Sequence, residues 1–232
     1  LKRLGGLVAV VSGETARFAR AEDALNRMKL PPSWEMRRFY GTNVACNLNN
    51  GVRYALATGA DYLLVIGDDH VFPASLVYHL LSRNVDIVAP LVTFRRPPYA
   101  PIAFRDRKEG AYMWETIPWD TLPSEGLMEV AAVTNSGMLM RRSVLEALQD
   151  PWFDLGQVHP EHTSEDLHFC EKARACGFRV YLDVDMTLEH LTPIGVKPTR
   201  REDGRWGMDA VFDDGIIVAL PLSLEEQELV PA

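Results

Sequence analysis

Cysteine is scarce in this chain and unpaired by pattern. Cys46, Cys170 and Cys176 form no CxxC spacing, and their odd number argues against a disulfide framework. A reducing compartment, the cytoplasm, is the simpler expectation. Long apolar runs are missing too. None approaches the roughly 18 residues of a membrane helix, and no signal-peptide pattern is visible. Leu1 in place of Met points to a trimmed start. Basic charge is outnumbered: 24 Lys and Arg stand against 32 Asp and Glu, a formal charge of −8 that does not advertise a broad nucleic-acid surface. There is no internal repeat and no low-complexity stretch. The absence of a P-loop and of a GxGxxG fingerprint argues against a kinase or a dinucleotide-dependent dehydrogenase.

What is present is enough for a full core. With 232 residues, 47% of them hydrophobic, one α/β domain with an appendage is the expectation. Its centre is Tyr62–Ile66, an apolar run that leads directly into Gly67-Asp68-Asp69-His70. Such a run, bounded by turn residues, reads as a strand buried on both faces. Leu7–Val11 reads as a first strand and Trp34–Tyr40 as a second. Helices are expected over Ala16–Met28 and after Thr42 or Asn43, the latter ended by Gly59. The order β-α-β-α-β predicts a mostly parallel sheet with helices on its faces. A helix over Ala74–Ser82 and a strand over Asp86–Pro90 follow. Residues 93–126 are rich in proline and aromatics, with a small antiparallel hairpin expected from Ile102–Phe104 and Ala111–Trp114. Leu127–Val133 reads as one strand, Met138–Met140 as another and Ser143–Leu148 as a helix. Glu165–Cys176 reads as a helix closed by Gly177, and Phe178–Leu182 and Met186–Glu189 as two short strands. From Leu191 on, the chain reads as a tail or lid.

Ligands bind outside the carboxyl ends of strands in open α/β sheets. Two carboxylates and an imidazole at the end of the central strand suit a Mg²⁺- or Mn²⁺-type ion, and such ions commonly hold phosphates. The alternative is a polar turn with solvated acids.

Four pieces, in order, resemble the GT-A-fold glycosyltransferases of the family-2 type. Val44-Ala-Cys-Asn-Leu-Asn-Asn-Gly51 looks like the family's A-R-N-x-G/A stretch, with Asn49 at the Asn position and Leu48 where Arg is usual. Gly67-Asp-Asp-His70 is similar to the metal-binding DxD turn, with Gly67 in place of the first Asp. Thr134-Asn-Ser-Gly-Met-Leu-Met-Arg-Arg142 resembles the strand beside the acceptor. Ser164-Glu-Asp-Leu-His-Phe-Cys-Glu-Lys-Ala-Arg-Ala-Cys-Gly-Phe178 resembles the helix that carries the catalytic base, and His190 follows where relatives place a metal-ligating His. The likeness covers roughly residues 7–191 and is to the compact transferases of phage and bacterial genomes.

The resemblance implies a catalytic domain over residues 1–190, its nucleotide-sugar half at 1–92 and its acceptor half at 93–190, with 191–232 as tail or lid. It implies a nucleotide-diphosphate sugar donor and Mn²⁺ or Mg²⁺ held by Asp69, Asp68 and His190. Asp68 could instead contact the ribose, and His70 could ligate or point back into the sheet. Asp166 is the implied base, with Glu165 its neighbour or an acceptor contact. The competing reading of that pair is ordinary helix-end acids favoured by the dipole, with Ser164 as cap. Ser12, Gly13 and Glu14 are candidates for the base or ribose, and Asn49 for a ribose or a loop. Asn135, Ser136, Gly137 and Trp206 fall on the acceptor side. Trp114, Trp119 and Trp152 suit sugar faces or core plugs. Arg17, Arg20, Arg95-Arg96 and Arg200-Arg201 either reach the diphosphate or are solvated. His159, His162 and His168 form no zinc spacing and read as outer or surface residues. A retaining transferase, a nucleotide-sugar-binding protein without turnover and a nucleotidyltransferase are the competing functions. A glycan, a protein, a small molecule or a hydroxylated DNA base remains open as the acceptor.

Overall fold

The computed structural model describes residues 4–13, 18–96, 98–106, 114–156, 163–212 and 217–220. The chain divides into two compact units, Leu1–Leu191 and Thr192–Ala232. The first contains, in order, β1 (Gly6–Ser12), α1 (Ala19–Arg27), β2 (Trp34–Tyr40), α2 (Val44–Thr58), β3 (Tyr62–Gly67), β4 (His70–Val71), α3 (Leu76–Ser82), β5 (Ile87–Leu91), β6 (Ala103–Arg105), β7 (Glu115–Thr116), β8 (Leu127–Val130), β9 (Ala132–Val133), β10 (Met138–Arg141), α4 (Arg142–Ala147), α5 (Glu165–Ala175), β11 (Val180–Thr187) and β12 (Glu189–His190).

A seven-stranded sheet, ordered β2-β1-β3-β10-β5-β11-β8, forms the centre. β1, β2, β3, β5 and β11 run one way and β10 and β8 the other, so the sheet is mixed and mostly parallel. Alternate residues of each strand feed opposite faces. Leu7, Ala9, Leu63 and Val65 join one apolar cluster, with Leu48, Val52 and Ala55 of α2 and Phe169 and Ala173 of α5. Val8, Val10, Leu64 and Ile66 join the other, with Leu25 of α1 and Leu76 and Leu80 of α3. Fully burying each of Leu63, Leu64, Val65 and Ile66 contributes about 1.5–3 kcal/mol. That anchors β3 firmly and fixes where the turn after it emerges. Asn43 caps α2, its side chain accepting from the Cys46 N–H at 2.9 Å, and Gly59 closes the helix in the left-handed region at φ 75°.

Several elements differ from the expectation. Leu127–Val133 is broken at Ala131, and its halves enter different sheets: β8 joins the central sheet, while β9 joins a small antiparallel sheet ordered β7-β6-β9. In that sheet β6 pairs with β7, just past the expected Ala111–Trp114 partner, of which residues 111–113 lie outside the described residues. The expected strand Phe178–Leu182 and the start of the expected Met186–Glu189 fall in the single strand β11, with a register shift between Asp183 and Thr187, and Glu189 opens β12. The buried carboxylate of Asp183 takes two bonds from Arg83 at 2.6 and 2.8 Å, and His79 lies 2.8 Å away. The paired charge is therefore tolerated inside the sheet. The stretch after Leu191, expected as a tail or lid, contains a three-stranded antiparallel sheet, β13 (Gly195–Arg200), β14 (Trp206–Val211) and β15 (Ile217–Leu220). The acidic 224–229 stretch lies outside the described residues. Among the described residues no helix is long and apolar enough to cross a membrane.

Candidate active site

The site is built at the carboxyl ends of the parallel strands. After Gly67 the chain turns through Asp68 and Asp69 and re-extends as β4. That strand pairs antiparallel with β12, placing Glu189 opposite Val71 and His190 opposite His70. The Leu191 N–H closes the turn on the Asp69 carbonyl at 2.8 Å. Opposite residues of an antiparallel pair share a face. The two imidazoles accordingly stack, centroids 4.5 Å apart. Ligand atoms of Asp69, His70 and His190 all lie within 4.8 Å of one another.

Each member is held in a form able to ligate. His190 Nδ1 is 2.9 Å from the Thr93 carbonyl, which only accepts, so Nδ1 carries the proton and Nε2 presents its lone pair to the site. His70 is buried, and neither of its ring nitrogens has a hydrogen-bond partner. Its Nδ1 lies 2.7 Å from Asp69 Oδ1, a close contact without hydrogen-bond alignment. Burial holds the His70 imidazole below its ordinary value against the pull of Asp69, which keeps the ring neutral. At Asp69 burial opposes ionisation, but its neighbours, the Arg95 guanidinium that donates to Oδ2 among them, outweigh it and hold the carboxyl well below the usual carboxylate range. Arg95 donates through Nη2 to Asp69 Oδ2 and through Nε to His190 Nε2, the latter at 2.7 Å. Gly67 makes room for this arrangement. A Cβ there would stand 2.6 Å from Asp69 Oδ1 and 3.3 Å from His70 Nδ1.

These residues border a cavity of about 400 Å³. Ser12 and Gly13 line it from the end of β1, Gly41 and Thr42 from beyond β2, Asn135 and Ser136 from the turn before β10, and Glu165 and Asp166 from the start of α5. Asp68 lines the cavity but stands outside the three-residue cluster. Ser12 Oγ is buried without a hydrogen-bond partner among the described residues. Glu14 lies outside the described residues, as do Arg17, His159 and His162.

At the entry to α5, Ser164 occupies the cap position but makes no capping bond; its hydroxyl donates to Asp166 Oδ1 instead. Oδ1 also accepts the Leu167 N–H at 2.9 Å, and Oδ2 accepts the Asn135 N–H at 3.2 Å. Asn135 Nδ2 reaches Glu165 Oε1 at 3.4 Å. Burial, then the neighbouring Asp166, hold the Glu165 carboxyl above its ordinary value. Asp166, Thr134, Ser164 and His190 also line a second cavity of about 500 Å³, walled by Phe94, Phe104 and Trp114. Phe104 meets Phe94 and Trp114 edge-on, at 6.5 and 6.3 Å.

Other candidates lie elsewhere. Asn49 is buried and clamps the backbone of Phe153, donating to its carbonyl at 2.8 Å and accepting its N–H at 2.9 Å. Its amide thus fixes a loop and is not free for a ribose. Gly137 serves a turn at φ 83° against Pro90. Trp152 is a core plug bonded to the Leu145 carbonyl, and His168 pairs with Asp154 at 2.7 Å. Arg20 pairs with Glu189 at the surface. Trp206 belongs to the second unit, where the Arg200 guanidinium lies over its ring. Gly41 is not singled out by the sequence, and Thr42 only as a helix cap. The strand-end rule that singled out Ser12 and Gly13 applies equally to the residues after β2.

No family model matches the chain, and no curated protein matches it. Solved structures do. The chain is similar to A197 from STIV over 94% of its own length and 94% of that chain, with a TM-score of 0.55 and 14% identity. It is similar to GalNAc-T7, solved with UDP, GalNAc and Mn²⁺, over 82% of its length and 44% of that chain, with a TM-score of 0.55 and 10% identity. It therefore spans less than half of GalNAc-T7. At such identities the likeness is one of fold, and that fold is GT-A-like.

Proposed function

We propose that the protein is a metal-dependent glycosyltransferase of the family-2 type, of the compact phage or bacterial kind, acting in the cytoplasm. It moves a sugar from a nucleotide-diphosphate donor to an acceptor hydroxyl with inversion. One observation carries this reading: the Asp69–His70–His190 cluster and Asp166 border one cavity, and Asp166 also borders a second, aromatic-walled one. The GT-A-like fold supports it by analogy.

The donor set fits a divalent ion. Asp69, His70 and His190 would hold it, with Asp68 beside them, and the lone pair of one buried, unbonded His70 nitrogen is what such an ion would satisfy. Two imidazoles with one carboxylate favour Mn²⁺ over Mg²⁺, which prefers oxygen. When bound, the ion neutralises charge on the diphosphate leaving group.

The chain supplies the rest. Ser12 and Gly13, at the end of β1, line the cavity where the nucleoside would lie. Asp166 takes the proton of the acceptor hydroxyl at Oδ2, which among the described residues accepts only the longer bond from Asn135, while Ser164 and the Leu167 N–H fix Oδ1. Glu165, steadied by Asn135, is an acceptor contact. Phe94, Phe104 and Trp114 offer ring faces to the acceptor, be it a glycan, a protein side chain or a hydroxylated DNA base. Residues 1–92 act as the donor half and 93–190 as the acceptor half.

A thermal-shift screen of nucleotide sugars, with and without Mn²⁺, tests the donor. A metal-dependent rise with one donor is expected; no rise with any donor sinks the reading. With that donor, Asp166→Asn should lower kcat by about 10²–10⁴ and leave donor affinity unchanged.

A further inference from the structure

We propose that Arg95 and the divalent ion are mutually exclusive occupants of the Asp69–His190 pair, and that the guanidinium displaced by the ion is the group that grips the donor diphosphate. This rests on the metal-site reading above and deepens it.

The exclusion follows from valence at His190. A neutral imidazole has one lone pair in the ring plane. Thr93 fixes the proton on Nδ1, so the lone pair is on Nε2, and the Arg95 Nε–H already occupies it at 2.7 Å. A metal ion needs that same lone pair. The second arm of the guanidinium bonds Asp69 Oδ2, the other inward ligand. Arg95 therefore reproduces the cation in both position and sign, and it must leave before His190 can ligate.

Its destination follows from charge. The donor-side cavity is lined by Asp68, Asp69, Glu165 and Asp166, and Arg95 is the sole Lys or Arg lining it among the described residues. A diphosphate entering four carboxylates needs more than one cation. A guanidinium presents paired donors that match phosphate oxygens. The side chain is 42% exposed, with open space to move into. The backbone around it is tied down: the Phe94 N–H bonds the Ala100 carbonyl at 3.0 Å and the Tyr99 N–H bonds the Arg96 carbonyl at 2.8 Å. The exchange needs only a side-chain swing of Arg95.

The test compares wild type, Arg95→Gln and Arg95→Lys. Mn²⁺ binding is followed by the electron paramagnetic resonance of free Mn²⁺ without nucleotide, and UDP, GDP, ADP and CDP are then titrated calorimetrically into the Mn²⁺-loaded proteins. Arg95→Gln should bind Mn²⁺ about tenfold tighter and its preferred nucleoside diphosphate about tenfold weaker than wild type. Arg95→Lys keeps the charge but loses the paired Nε and Nη2 donors, and should also bind Mn²⁺ tighter. If Arg95→Lys matches wild type while Arg95→Gln is tighter, simple charge repulsion explains the effect and the exclusion is overturned. If all three bind Mn²⁺ and nucleotide alike, this inference falls and the metal site stands. If none binds Mn²⁺, the metal-site reading falls and takes this inference with it.

Discussion

Asp68-Asp69 and Glu165-Asp166 are both acid pairs at the edge of an element, one leaving β3 and the other entering α5, and both line one cavity. Their surroundings push in opposite directions. Asp69 meets two imidazoles and a guanidinium, which outweigh its burial and keep it charged. Glu165 meets burial and another carboxylate, which favour its protonated form. Adjacent acids in a sequence are therefore not one kind of site. One pair is equipped to face a cation, the other to handle a proton, and the cavity between them is polarised accordingly.

Removing the cation end should have the largest effect. Asp69→Ala should weaken Mn²⁺ binding by more than about 100-fold, beyond the effect of losing an outer partner of a metal ligand, and reduce transfer to background. Calorimetry with Mn²⁺ checks the first and product release the second. The contrast with Asp166→Asn, which should bind metal normally, is the sharpest form of the comparison. Next in size is Gly67→Ala. Its Cβ would fall 2.6 Å from Asp69 Oδ1, so the carboxylate must shift. Mn²⁺ affinity should drop by about tenfold while circular dichroism stays native. Retained affinity would mean that the space beside Gly67 is incidental.

The smallest effect is on stability and carries a pH signature. A carboxyl held above its unfolded value costs nothing while both states are protonated. The cost appears as pH rises through the ordinary glutamate range toward the raised value. Glu165→Gln should therefore raise Tm by about 2 °C at pH 7 and by less at pH 4. An equal gain at both pH values would break the comparison.

Much of the frame was legible because burial leaves a periodic trace. Tyr62–Ile66 and Leu7–Val11 announce strands covered on both faces, and Asn43 and Gly59 mark the ends of α2 by their own backbone chemistry. Asp69 stands out because ionisable side chains follow a buried run, whereas His190 and Asp166 are marked only by the resemblance to a family. His70 was harder. It belongs to a strand two residues long, too short for any period to mark it, and only its pairing with β12 turns the ring into the site. Asn49 shows the opposite failure. A motif places an amide, but whether it meets a ligand or a carbonyl depends on Phe153, far along the chain. Gly67 looked like a lost ligand in the sequence; in three dimensions it is clearance for the carboxylate two residues on.

The β4–β12 ladder joins two segments made far apart in time. His70 emerges early from the ribosome and His190 only near the end of the first unit, and neither ring is positioned until those two strands meet. Long-range pairings are slow to close because the intervening chain must first be ordered. A nascent chain that has completed β1, β2 and β3 thus possesses neighbouring strands and an aspartate turn but not yet the paired rings. The β4–β12 pairing is the last of these contacts that the growing unit can make.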